Sequence, residues 1–378
     1  MYIPNFIMLY ISLKTIILNI RKIFLKKYIG ITILFILMLF SCILANNAYE
    51  AFFGSNLEGV ITHISYFGFF CCALKLTNEK ENIKIINLLL LVATLISILC
   101  LCKFDFIYKL FNIQKESYYF YIGPFYHFNH FGYYLLICNI CSIFMFILNK
   151  KTKKIIYYII NFILLYTLVI NDTFGVYISY ILVLALLLIY FIYKKQNLKE
   201  ILIILLSFIL VSCISFRDNH NVVYRNFKEL INDTSQIVQS ESVEQIYNIG
   251  TDRGILWIKT VKLISNKPFI GYGFENIRDE YSKLEIMTDK PHNIILEQAL
   301  NMGIPAMIIY MTIIILIIIK QLKRIKTIKP FYLMSLIIVI SYLFSSMFGN
   351  QTFYVAPYFY IFLGLIAQNY YKEKEYEV

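Results

Sequence analysis

The chain reads as all-α, a polytopic helical membrane protein of about ten transmembrane helices with one long external loop, and three observations point to it. Of its 378 residues 59% are hydrophobic and only 15% charged. The mean hydropathy is +0.67. Apolar runs recur that are long enough to cross about 30 Å of hydrocarbon as helices. Irregular backbone and open strands cannot face lipid, because their amides would go unsatisfied, and the Ile/Leu/Phe runs lack the alternation of an outer-membrane barrel.

In chain order the spans fall at 28–45, 58–76, 85–102, 128–148, 155–170, 174–193, 201–216, 304–319, 331–348 and 356–370. The segment 1–20 is also apolar, but Lys14 interrupts it. That leaves it open as an eleventh span or as a helix lying on the membrane, with the surface helix favoured. No basic stretch precedes it and no small-residue cleavage site follows before Arg21, so a cleaved signal peptide is not expected. The organisation is then a cytoplasmic or interfacial segment (1–27), a transmembrane bundle (28–216), a large external loop (217–291), and a final part (292–378) comprising a short surface helix, three spans and a cytoplasmic tail.

The net charge of +12 comes from lysines and arginines in alternate loops rather than from one basic face. Arg21/Lys22/Lys26/Lys27, Lys75/Lys80/Lys84, Lys150/Lys151/Lys153/Lys154, Lys194/Lys195/Lys199 and Lys320/Lys323/Arg324/Lys326/Lys329 fall on one side, which the positive-inside rule assigns to the cytoplasm. Residues 217–291 then lie outside, nearly neutral with ten Lys/Arg against eleven Asp/Glu. Basicity here is topology and not affinity for nucleic acid. All eight cysteines lie in or beside apolar runs, where they act as small hydrophobes, so neither a disulfide framework nor a metal cluster is expected. No Glu, Arg or Lys falls in the middle of a span, which weakens an ion-coupled carrier.

The polar loop holds the candidate chemistry. Thr251 is placed to cap a helix running to about Asn266, with Ile255, Trp257, Ile258, Val261 and Ile264 on its apolar side and Lys259 and Lys262 facing away. Arg253 then sits in the first turn, where a cation opposes the helix dipole. Free amides plus a guanidinium at a helix start suit a phosphate. On spacing alone, an exposed Arg paired with Asp252 is the commoner arrangement. Pro268 ends the helix, and Gly271-Tyr272-Gly273-Phe274 permits a tight turn but lacks the context of a nucleotide loop. Asp289-Lys290-Pro291-His292-Asn293 starts the next helix, with Pro291 in its first turn and an end at about Asn301. The positive end of a helix favours a neutral imidazole at His292, the form a general base needs. His63, His127, His130 and His220 compete for that role.

Arg253-Gly254-Ile255-Leu256-Trp257, Lys267-Pro268-Phe269-Ile270-Gly271-Tyr272-Gly273-Phe274, Pro291-His292-Asn293-Ile294-Ile295-Leu296-Glu297 and Met302-Gly303-Ile304-Pro305 together resemble the signature block of the O-antigen ligase and polysaccharide polymerase superfamily. The match covers about 60 residues and the topology extends it. Gly123 to Gly132 is similar to an upstream external segment of the family. At Asn171-Asp172-Thr173-Phe174-Gly175 the glycine of the family's Ser-Arg-Gly is kept but its arginine is missing. Arg217 or Arg225 is left to supply that charge, or the pyrophosphate is held differently.

The resemblance implies a glycosyltransferase of the GT-C type in the bacterial inner membrane, its site facing the periplasm, with an undecaprenyl-pyrophosphate-linked glycan as donor. The acceptor would be another glycan, lipid A core or a protein hydroxyl. Arg253, with Arg217 or Arg225, would neutralise the leaving pyrophosphate; His292 would deprotonate the acceptor; Gly271, Tyr272, Gly273 and Asn293 would support them. No Asp-x-Asp stands on an external loop, so transfer is expected to invert without metal or other cofactor. The alternatives are a flippase for a lipid-linked glycan and a non-catalytic assembly protein. An enzyme should bring Arg253 and His292 towards one place.

Overall fold

A computed structural model describes residues 2–18, 29–55, 58–75, 78–102, 123–125, 127–171, 173–216, 224, 228, 253–350 and 353–375. Arg217, Arg225, His220, Thr251 and Asp172 therefore lie outside the described residues. Every regular element among the described residues is a helix, and each of the ten apolar runs forms one. Among the described residues six helices are long and apolar enough to cross a membrane: Lys80–Leu101, Phe128–Leu148, Lys151–Asn171, Phe174–Lys194, Leu198–Ser215 and Ile304–Leu322. The apolar helices Ile29–Ile43, Val60–Lys75, Pro330–Ser345 and Ala356–Gln368 are shorter. The chain is a multi-pass helical membrane protein.

In order, α1 is Tyr2–Leu18, α2 Ile29–Ile43, α3 Ala48–Phe53, α4 Val60–Lys75 and α5 Glu79–Leu101. A 3₁₀ turn, Gly123–Phe125, precedes α6 (Phe128–Leu148), α7 (Lys151–Asn171), α8 (Phe174–Lys194) and α9 (Leu198–Ser215). Then come α10 (Arg253–Asn266), α11 (Arg278–Lys283), α12 (Ile294–Met302), α13 (Ile304–Leu322), α14 (Pro330–Ser345) and α15 (Ala356–Glu375).

Two compact units divide the chain: Met1–Lys75 with Leu230–Ile328 and Ser346–Val378, and Leu76–Glu229 with Lys329–Ser345. In the second unit α6 is central. Every residue from Phe131 to Phe146 is buried, and α5, α7, α8, α9 and α14 pack around it. Polar groups in that core find one another, as a membrane interior requires: the Asn161 amide donates to the Ser142 hydroxyl at 2.8 Å. The break between α7 and α8 is held by the Thr173 hydroxyl on Asn171 Oδ1, 2.7 Å away, while Asn171 Nδ2 donates to the Phe128 carbonyl at 3.1 Å.

In the first unit α1 and α15 both pack along α4. The Ser12 hydroxyl donates to the Ile64 carbonyl at 2.7 Å, and a Cβ at Gly68 would lie 2.3 Å from the Met8 carbonyl oxygen, so only glycine lets α1 and α4 approach this closely. A second core joins α2, α3 and α4 to the loop: Met38, Cys42, Ala51, Val60, Met302 and Ala306 close around the fully buried ring of Phe274.

Candidate active site

The described part of the polar loop folds as a small core of its own within the first unit. Leu256, Leu263 and Ile264 of α10 pack with Tyr272, Ile277, Tyr281, Ala299 and Leu300. The buried side of α10 is therefore Leu256, Thr260, Leu263 and Ile264, whereas Val261, expected inside, is 53% exposed. Thr260 hides this face from an apolar count, yet its hydroxyl is satisfied by the Leu256 carbonyl at 2.7 Å and by the Tyr281 hydroxyl at 2.7 Å. Lys259, expected to face away, donates instead to the Leu284 carbonyl at 2.6 Å. Burial holds the Tyr281 hydroxyl well above the ordinary tyrosine range, with the Thr260 bond opposing it.

The Gly271-Tyr272-Gly273 turn docks onto the end of α12. A helix leaves its last carbonyls without partners. Here Tyr272 N donates to Leu300 O at 2.9 Å and Gly273 N to Asn301 O at 3.0 Å, and the Ser41 hydroxyl of α2 also reaches Asn301 O at 2.5 Å. Both glycines have positive φ, 76° and 87°, and a Cβ at Gly271 would sit 2.6 Å from Leu300 O. The motif is thus a backbone clamp that fixes α12, and Ile304 N on Pro268 O at 2.7 Å closes it from the other side.

At its other end α12 begins three residues later than Pro291 would start it. Asn293 is the N-cap, its Oδ1 accepting from Ile295 N at 3.0 Å and Leu296 N at 3.2 Å, an arrangement worth about 1 kcal/mol. Asn293 Nδ2 donates to Met347 O at 3.2 Å and Ile294 N to Ser346 O at 2.9 Å. The helix shift has a local cause: His292, half-buried, takes φ 51°, a left-handed conformation that no helix interior tolerates. Read from sequence as a short surface helix, α12 is buried at Ile294 and at every residue from Glu297 to Met302.

Trp257 joins this turn to α10. Its indole Nε1 donates to the Pro291 carbonyl at 2.9 Å. Arg253, half-buried, stands one helical turn earlier, about 6 Å along the axis from Trp257. The second turn of α10 therefore meets the residue before His292.

Beneath the turn lies a buried ion cluster. Lys290 Nζ pairs with Glu58 and, at 3.4 Å, with Glu297. All three side chains are about nine-tenths buried. Glu58 Oε1 also accepts from Phe353 N at 3.1 Å. A cavity of about 20 Å³ adjoins them, lined also by His63, Glu275, Arg278 and Asp289; it has room for one water and not for a sugar ring. On the far side of His63 an apolar cavity of about 100 Å³ runs between α2, α4, α13 and α15, lined by Phe35, Met38, Phe67, Ile314 and Leu363. Neither Arg253 nor His292 lines these two cavities.

Of the sequence-derived residues, then, Arg253 starts α10, Gly271, Tyr272 and Gly273 clamp the end of α12, and His292 and Asn293 stand at its beginning. Arg217 and Arg225 lie outside the described residues. Of the competing histidines, His63 is packed at 4.3 Å against the Phe274 ring. His127 caps α6 through Nδ1 on Asn129 N at 3.1 Å, and burial lowers its basicity. The His130 ring lies tilted beside that of His127, 5.0 Å away. The residues that sequence reading missed are Glu58, Lys290 and Glu297 as a group, and Arg278. Lys290 and Glu297 were visible as charges flanking the Pro-His-Asn turn; Glu58, at the start of α4, carried no such signal.

Among known proteins, residues 159–311 match the family model described as O-antigen ligase, from within α7 to the second turn of α13 and including both Arg253 and His292. No curated protein matches the chain. Over that segment, about two-fifths of the chain, the protein is similar to the O-antigen ligase family.

Proposed function

We propose that the protein is a GT-C glycosyltransferase that moves glycan from an undecaprenyl-pyrophosphate donor to an acceptor hydroxyl at the outer face of the inner membrane. His292 takes the acceptor proton as the hydroxyl oxygen attacks the anomeric carbon. The bond from that carbon to the pyrophosphate breaks, and its electron pair leaves with undecaprenyl pyrophosphate. The Arg253 guanidinium faces that growing charge, and a planar fork suits two phosphate oxygens better than a point charge would. One displacement inverts the anomeric centre, and in this reading arginine supplies the charge that a metal would otherwise bring.

The observation that supports the reading is the Trp257 bond to the Pro291 carbonyl, which ties the helix begun by Arg253 to the residue before His292. The apolar cavity ending at His63 supports a substrate with a hydrocarbon part. A carrier finds less support: in the six long apolar helices the charged residues lie in the first or last two turns. The test is glycan analysis of a deletion strain complemented with wild type, Arg253→Ala or His292→Ala. Loss of long chains with lipid-linked repeat units retained on the outer face supports transfer. Repeat units retained on the cytoplasmic face would support a flippase.

A further inference from the structure

We propose that Lys290, gripped by Glu58 and Glu297, is a positioning residue that holds His292 in its reactive orientation; the inference rests on the reading of His292 as the base. The backbone around His292 is fixed on both sides. Pro291 has a ring-locked φ and a carbonyl held by Trp257, and Asn293 is committed to capping α12 and to Met347. His292 between them adopts φ 51°, a conformation costing a non-glycine residue about 1–2 kcal/mol, which persists only where the surroundings enforce it. A further restraint is at Lys290, whose ammonium ties the segment before the turn to α12 through Glu297 and to the start of α4 through Glu58. Glu58 in turn holds Phe353, and the Ser346 and Met347 carbonyls, shortly before it in the chain, receive Ile294 and Asn293. The cluster therefore ties together the segments that frame His292.

Stability alone gives little reason for three buried charges here. Exchanging such a cluster for neutral groups of similar volume is often neutral or stabilising, because desolvation offsets the attraction. The geometric consequence is what the cluster adds. A base displaced by about 1 Å loses on the order of 10²-fold in rate.

The experiment uses the full chain in detergent and lipid-linked glycan extracted from the deletion strain, following release of undecaprenyl pyrophosphate. Lys290→Met and the neutral triple variant Lys290→Met/Glu58→Gln/Glu297→Gln are compared with wild type and His292→Ala. The triple variant leaves none of the three cluster charges unpaired, so it carries the test where the single variant fails to fold. The expected result is kcat lower by about 10²-fold in folded variants with KM for the donor within about twofold of wild type. Near-normal kcat in either folded variant overturns the proposal. So does a rise in KM with kcat unchanged, which would put Lys290 on the donor, and so does failure of both variants to fold, which would make the cluster purely structural. An active His292→Ala would sink the functional reading instead; an inactive His292→Ala beside a fully active Lys290→Met would sink this inference alone.

Discussion

The indole of Trp257 donates to the carbonyl of Pro291 at 2.9 Å, the residue before the candidate base. That single bond links the helix begun by Arg253 to the turn that carries His292. Trp257→Phe keeps most of the ring packing but leaves a buried carbonyl without this donor. We expect a loss of about 1 kcal/mol in stability and a larger loss in transfer, measured by thermal melts and turnover of the purified protein. Unchanged turnover would mean that the contact does not set the site.

Gly273 should not tolerate a side chain. Its φ is 87°, and a Cβ would lie 2.5 Å from Ala45 Cβ. Gly273→Ala is expected to cost about 2 kcal/mol from backbone strain and displaced packing. Faster amide exchange at the end of α12, where Gly273 N caps Asn301 O, would report the loosened clamp.

Much of the fold could be read in advance, and the reason is lipid. Each apolar run had to be helical, so the span at 128–148 coincides with α6 and that at 304–319 lies inside α13. Amphipathic detail was less legible. Thr260 broke the apolar pattern of α10, and only the Tyr281 hydroxyl shows why a threonine faces inward there. The start of α12 was misplaced by three residues because a left-handed histidine is not visible in a sequence. Arg253, His292 and Asn293 were singled out through motif order. The partnership of Lys290 with Glu58 was not, since only tertiary folding brings α4 beneath the loop.

Tyr281 supplies a pH test of the loop core. Burial raises its folded-state value above the ordinary one near 10. Above about pH 10 the unfolded chain therefore releases a proton that the folded chain keeps, and stability falls as pH rises. Tyr281→Phe should be less stable by about 1 kcal/mol at neutral pH, having lost the Thr260 bond, but should show a shallower alkaline decline. Parallel declines would place the alkaline sensitivity elsewhere.

The proposed external placement of the loop can be tested chemically. Met287 is fully exposed, at 104% of its reference area, so a cysteine there should react with an impermeant maleimide added outside intact cells. Lys151→Cys, at the start of α7, should not react under the same conditions. The reverse pattern would put the site on the wrong face for the proposed donor.

Arg253→Lys keeps charge and loses the planar fork. Transfer is expected to fall sharply, with membrane insertion unchanged, and Arg253→Ala to fall further. Equal, full activity in both variants would remove Arg253 from the chemistry.

The most direct test of the central claim is turnover of lipid-linked glycan by purified His292→Ala. A general base contributes about 10²–10⁴-fold, so donor binding and folding are expected near normal with product formation reduced by that factor. Turnover close to the wild-type rate would contradict it.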